Sequence, residues 1–297
     1  MTSLRAVFIG CVHSSLAMLE ELLTVPGLEI CGVVTRQAST VNADFTDLSP
    51  LARANGIPVF HAEGSGQDEM AAWIRDRGAD ICFCLGWSYL LNPAVLAAAP
   101  RGVVGYHPAL LPRNRGRHPL IWALVLGLTE TGSTFFLMDA GADSGPILSQ
   151  ERIPIADDDD AGILYGKMIA TARAQVRQLA LGLCAGTAAA VPQDASRASN
   201  WRKRGRADGQ IDWRMPASGI HNLVRALAPP YPGAHALFRG AEVKVWKTRL
   251  GPGGPADVEP GCVLGVAGND IRVQCGEGTL ILERHEFGPG LRPGDYL

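Results

Sequence analysis

Residues 102–150 read GVVGYHPALLPRNRGRHPLIWALVLGLTETGSTFFLMDAGADSGPILSQ, and the rest of the chain is read outward from them. The run opens with a strand-like segment, GVVGYH (102–107), followed by a Pro- and Arg-rich loop, PALLPRNRGRHP. An apolar, helix-like LIWALVLG follows, then a second strand, GSTFFLM, and an acidic, Gly-rich loop, DAGADSG. His107 closes the first strand and Asp143 sits in the last loop. Strand ends and the loops after them are where α/β proteins place chemistry. A His and an Asp on two such loops form a candidate acid/base pair.

Upstream, RAVFIG (5–10) is a short apolar run ending in Gly, which predicts a buried strand. SSLAMLEELLTV (14–25) has apolar residues at helical spacing, with Ser14 or Ser15 as N-cap, and LEICGVVT (28–35) predicts a second strand. This βαβ opening predicts a parallel sheet with right-handed crossovers. The turn IGCVHSS holds one glycine, so the dinucleotide fingerprint is absent. A polar surface loop is expected over 36–49, then helix 49–56, strand 57–62, helix 69–78 and the apolar strand ADICFCLG (79–86). Trp87, Ser88 and Tyr89 stand at the end of that strand.

Downstream, IPI (153–155) is strand-like, and Asp157–Asp160 precede a long helix over Ala161–Leu183. Four carboxylates suit a helix N-terminus. CAGTAAAVPQDASRASN (184–200) is poor in large apolar groups and reads as linker. Short strands separated by Gly turns over 241–287 predict a small β-barrel or sandwich. The expected division is a catalytic domain over 1–186, a linker over 187–204 and a second, β-rich domain over 205–297.

Composition sets the outer bounds. At 297 residues the length suits two domains, and 47% hydrophobic content suits a globular core. Lys and Arg number 27 against 29 Asp and Glu, a net charge of −2, which argues against a broad nucleic-acid surface. The seven cysteines are scattered, and C-x-C at 82 and 84 has no second pair at zinc-like spacing, so no metal site is expected. No signal-peptide pattern or membrane-length apolar run is visible, so a soluble, reduced, cytoplasmic protein is expected.

HPALLPRNRGRHPLIWALVLG followed by TGSTFFLMDAGADSG resembles the formyltransferase family that uses 10-formyltetrahydrofolate. D-G-x-I-D-W at 208–213 and P-x-PGA at 230–234 resemble that family's C-terminal domain. The resemblance implies an α/β fold: a Rossmann-like, mostly parallel sheet with a smaller, open barrel-like C-terminal domain. It implies His107 and Asp143 as the catalytic pair. It implies a folate pocket lined by Gly86, Trp87 and Ser88 after one strand and by Asp139, Gly141 and Ala142 in the acidic loop. The family usually reads N-x-H at the strand end, where this chain reads Gly105-Tyr106-His107.

In formyl transfer an amine attacks a formyl carbon, an oxyanion develops and the amine loses a proton. The site needs a proton acceptor and oxyanion donors. Imidazole, with an ordinary pKa of about 6.5, suits the proton. Gly105 offers no side-chain amide, so Asn114, His118 or a backbone N–H becomes the candidate donor. Arg115 and Arg117 are candidate contacts for an anionic substrate, since guanidinium binds two oxygens at once. WRKRG (201–205) is a further candidate for an anion.

The expected activity is formyl transfer from 10-formyltetrahydrofolate to a primary amine, foremost that of a nucleotide-linked sugar. A formyltetrahydrofolate hydrolase, a methionyl-tRNA formyltransferase and a non-catalytic folate- or nucleotide-binding homologue stay open. So does dimerisation through the C-terminal domain.

Overall fold

The computed structural model describes residues 3–40, 42–62 and 66–297. Val41, inside the expected 36–49 loop, lies outside the described residues, as do residues 1–2 and 63–65. The described chain falls into two compact units. The first gathers residues up to 119, 131–153 and 166–201; the second gathers 120–130, 154–165 and 202–297.

The first unit opens with β1 (Leu4–Ile9), α1 (His13–Leu22), β2 (Leu28–Thr35), α2 (Ser49–Ala54), β3 (Val59–His61), α3 (Gln67–Asp76) and β4 (Ile81–Cys84). Then come α4 (Pro93–Leu96), β5 (Val103–His107) and the two-residue β6 (Arg115–Gly116). After α5 (Pro119–Val125) the chain forms β7 (Glu130–Leu137), β8 (Ile147–Pro154), the long α6 (Ala161–Ala185) and β9 (Asn200–Trp201). The seven-stranded sheet runs β3-β2-β1-β4-β5-β7-β8. Its pairs from β3 to β5 are parallel, and β7 turns antiparallel against β5.

Apart from Arg5, strands β1 and β4 are apolar without alternation because both faces are covered. Phe8, Phe83 and Val104 pack on one side with Met18, Leu22 and Val176. Val7, Ile9, Cys82, Cys84 and Val103 pack on the other with Met70 and Ile74. Helix α1 begins one residue before the expected N-caps. Val12 takes the cap position with no side-chain bond, and buried Ser15 accepts from Val12 N at 3.2 Å while donating to Leu85 O at 2.6 Å. Ser15 therefore ties the first helical turn to the end of β4.

The acidic run before α6 works mainly on its own backbone. Asp159 is buried and accepts from Ala156 N at 2.8 Å, and Asp160 accepts from Ile163 N at 2.9 Å, a first-turn contact. Arg225 donates to the carbonyls of Ala156 and Asp159 in the same unit.

In the second unit α7 (Ala217–Ala226) accompanies β10 (Ala234–Phe238), β11 (Ala241–Leu250), β12 (Val263–Ala267), β13 (Asp270–Gln274) and β14 (Thr279–His285). These strands form one antiparallel sheet in the order β10-β11-β14-β13-β12. Ile220, Leu223 and Val224 are buried along α7, three to four positions apart.

Candidate functional site

His107 ends β5, where alternation puts it on the face of Gly105, with Tyr106 on the other. Tyr106 packs against Phe135 with ring centroids 5.0 Å apart, and burial pushes its phenol up to about 12. Tyr106 therefore packs against the core, on the opposite face of the strand from His107.

His107 is 5% exposed. Its Nε2 lies 2.7 Å from the Asn114 carbonyl, and its Nδ1 lies 3.5 Å from Asp143 Oδ2. A carbonyl only accepts, so Nε2 carries a proton in this arrangement. The same Asp143 oxygen accepts from Gly116 N at 2.9 Å. One carboxylate thus faces the ring and is itself held by a backbone donor, a geometry that fixes both partners.

The loop from Pro108 to Pro119 reaches this place through local strain. Asn114 (φ 64°) and His118 (φ 58°) adopt left-handed backbone, as does Asp143 (φ 55°) across from them. Such conformations cost free energy and persist where neighbours over-determine them. Here Thr134 Oγ1 donates to Ala109 O at 2.6 Å, and Gln150 Nε2 donates to Leu111 O at 2.8 Å. Gly116 has φ 101° and lies so close to the Trp201 carbonyl that a Cβ would collide with it. Only glycine allows β6 to run beside β9 there.

The expected linker holds this loop. Within the first unit, residues 187–201 run along the site: Val191 and Ile147 exchange two backbone bonds of 2.8 Å, and β9 pairs with β6 in parallel. Ser199 Oγ accepts from Asn114 N at 2.9 Å. Gln193 accepts from Arg115 Nη2 at 2.6 Å and donates to the carbonyls of Asp143 (2.9 Å) and Gly145 (2.7 Å). The segment is poor in large apolar groups because backbone pairing, not core burial, fixes it. Sequence reasoning missed Gln193; a lone Gln after Pro in a run of small residues was the one visible signal.

Of the other expected contacts, Arg117 donates to Ser88 O at 2.8 Å, and Ser88 Oγ donates to Asn42 Oδ1 at 2.5 Å. Arg115 is committed to Gln193. Gly86 O accepts from Cys11 N at 3.3 Å, and the Trp87 ring lies 5.6 Å from Tyr89. Asp139 accepts from Gly141 N at 2.9 Å and from Ser144 Oγ at 2.7 Å, which shapes the turn that exposes Ala142. At Gly105, an added Cβ would lie 2.8 Å from Met138 Cγ and 2.9 Å from Phe136 Cζ. Apolar side chains thus fill the place where the resemblance expects an Asn.

Two arginines of the WRKRG segment are engaged by residues outside it. Arg202 and Asp208 are ion-paired, and Arg204 lies over Trp122 at 4.6 Å. The Arg202 bond and the Gly205 N–H hold the Asp208 carboxyl well below the usual range. Among the described residues no group of three or more His, Cys, Asp or Glu could hold a metal ion, and no helix is long and apolar enough to cross a membrane.

The family model described as "Formyl transferase" matches residues 19–178, more than half the chain, and "Formyl transferase, C-terminal domain" matches residues 204–290. The chain belongs to the formyl transferase family. It is an enzyme of that family, and solved structures share its fold. An N-formyltransferase from Helicobacter canadensis, in complex with folinic acid and dTDP-3-aminofucose, is 17% identical with a TM-score of 0.73, over 94% of this chain and 98% of that one. WlaRD, a sugar 3N-formyl transferase studied with dTDP and 5-N-formyl-THF, is 16% identical with a TM-score of 0.71, over 98% of this chain and 100% of that one. HypX from Aquifex aeolicus, in complex with tetrahydrofolic acid, is 16% identical with a TM-score of 0.64, over 95% of this chain and 44% of that one. This formyltransferase has the α/β fold they share, a mostly parallel sheet with a separate antiparallel one.

Proposed function

We propose that this formyltransferase moves a formyl group from 10-formyltetrahydrofolate to a primary amine, and that the amine belongs to a nucleotide-linked sugar. The observation that carries the reading is the buried His107, set between Asp143 and the Asn114 carbonyl at a strand end. Fold likeness over nearly the whole length of two sugar N-formyltransferases supports the choice of acceptor.

Gly86, Trp87 and Ser88, with Asp139, Gly141 and Ala142, would hold the folate. The fit rests on Trp87, whose indole Nε1 is buried without a hydrogen-bond partner and is a donor that a ligand carbonyl would satisfy. The folate supplies a formyl carbon bonded to nitrogen. When the amine nitrogen bonds to that carbon, the carbonyl pair moves onto oxygen; when the pair returns, the carbon–nitrogen bond to folate breaks. Once His107 Nε2 has left the Asn114 carbonyl and given its proton to solvent, with the remaining ring proton on Nδ1 facing Asp143, its free lone pair accepts the proton the amine loses and returns one to the departing nitrogen. Asp143 keeps Nδ1 oriented, so Nε2 turns to the substrate by exchanging the Asn114 carbonyl for it. Asn114 and His118 on the same loop would supply donors toward the oxyanion, while Arg115 is held by Gln193 and Arg117 fixes that loop to Ser88.

A second reading, hydrolysis of the same donor, is favoured by the filled space at Gly105, which leaves no side-chain amide there. One experiment separates the two: tetrahydrofolate release is measured with and without a panel of nucleotide-linked amino sugars. Release that requires one amine supports transfer and names the acceptor. Release without any amine supports hydrolysis. No release in either arm sinks both readings.

A further inference from the structure

The geometry points to Gln193 as a positioning residue that sets Asp143 against His107. A glutamine amide has two acceptor positions and two donor hydrogens, and Gln193 uses all four. Its Oε1 accepts from Arg115 Nε at 3.2 Å and Nη2 at 2.6 Å, while its Nε2 donates to Asp143 O at 2.9 Å and Gly145 O at 2.7 Å. The guanidinium only donates and the carbonyls only accept, so the partners fix which end of the amide faces which.

The two loops joined in this way carry the site. Arg115 is one residue from Asn114, whose carbonyl meets His107 Nε2, and one from Gly116, whose N–H holds Asp143 Oδ2. On the other side Asp143 is a non-glycine residue with φ 55°. Its side chain is held by Gly116 and its main chain by Gln193, so the carboxylate is clamped at both ends of the residue. The clamp is anchored in turn. Val191 is paired to Ile147, and Asp194 accepts from Ser196 N at 3.0 Å immediately after Gln193.

This inference rests on the proposed roles of His107 and Asp143. It is tested on the full-length enzyme with Gln193→Ala and Gln193→Glu. The glutamate keeps an acceptor for Arg115 and loses both donors to the Asp143 loop. We expect both variants to lose kcat by on the order of tenfold to a hundredfold, as for a misplacement remote from the chemistry. KM for the formyl donor should hold, and the pH profile of kcat should move. The ring-nitrogen NMR signals of His107, assigned with His107→Gln, should shift in both variants well below their unfolding temperature. Wild-type kcat and pH profile in Gln193→Glu, with unchanged His107 signals, would overturn the inference. So would a loss of kcat that merely tracks the unfolded fraction. A wild-type enzyme that releases no tetrahydrofolate would sink the proposed function, while the His107 signals would still report whether Gln193 positions the pair.

Discussion

Met138 stands in the space that a side chain at Gly105 would enter, its Cγ 2.8 Å from the point where a Cβ would lie. Phe136, paired directly with Gly105 across β5 and β7, crowds the same point. Gly105→Asn is therefore predicted to destabilise the protein by about 1–3 kcal/mol, the usual cost of overpacking a filled core. Combining it with Met138→Ala should recover part of the loss. Urea midpoints of the two variants check this; a single variant as stable as the parent would show that the space beside Gly105 admits a side chain.

His107→Gln should lower formyl-dependent tetrahydrofolate release by on the order of 100- to 10,000-fold, the usual range for a general acid/base. Asp143→Asn should act in the same direction and by less, because the Gly116 N–H can still be accepted. Circular dichroism guards against simple unfolding. Full activity in His107→Gln would remove the ring from the mechanism.

Stability should fall as the solution becomes acidic, through two histidines of the second unit. Burial pushes His221 down, and Arg225 on its own helix adds to this; Glu283 and the 3.0 Å contact with Thr248 oppose it. His235 is pushed down as well, by burial and then by Lys244 and Arg206, against Glu242. Their unfolded value is about 6.5. The unfolded chain therefore binds protons first, so this stability is present above about pH 6.5 and is lost as pH falls through the depressed folded values. Thermal midpoints at pH 7.5 and 5.5 should differ less in His221→Gln than in the parent. An equal difference in both would clear His221.

Buried thiols should resist alkylation. Burial, with Cys31 nearby, pushes Cys82 up to about 12, and burial pushes Cys84 further still. In native protein at pH 8 neither should label while the thiolate remains scarce, and both should label in denaturant. Rapid native labelling at either position would show that this side of the sheet opens.

Much of the fold was legible because β1, β2, β4 and β5 are apolar runs ending at glycine or at polar loops. Strand β8 was not, apart from its last residues. Most of ILSQERIP is exposed or half-exposed, so burial left little apolar pattern to read. The two-residue strands β6 and β9 are shorter than any period. His107 and Asp143 stood out through their motifs, and the structure brings them within 3.5 Å. Gln193 did not stand out because half of its partners are backbone carbonyls, which any residue supplies. The crowding at Gly105 needed the register that sets Phe136 opposite it.

The course of residues 187–201 bears on how this protein can be divided. A fragment ending at residue 186 would keep His107, Asp143 and Arg115 but shed Gln193, Ser199 and Trp201, which hold their loops in place. Residues 120–130 and 154–165 interrupt the first unit and cluster with the second, so no single scission frees either one. A truncated first half would retain the candidate site's side chains on loops that had lost their register, and excision experiments on this enzyme should preserve the chain through Trp201.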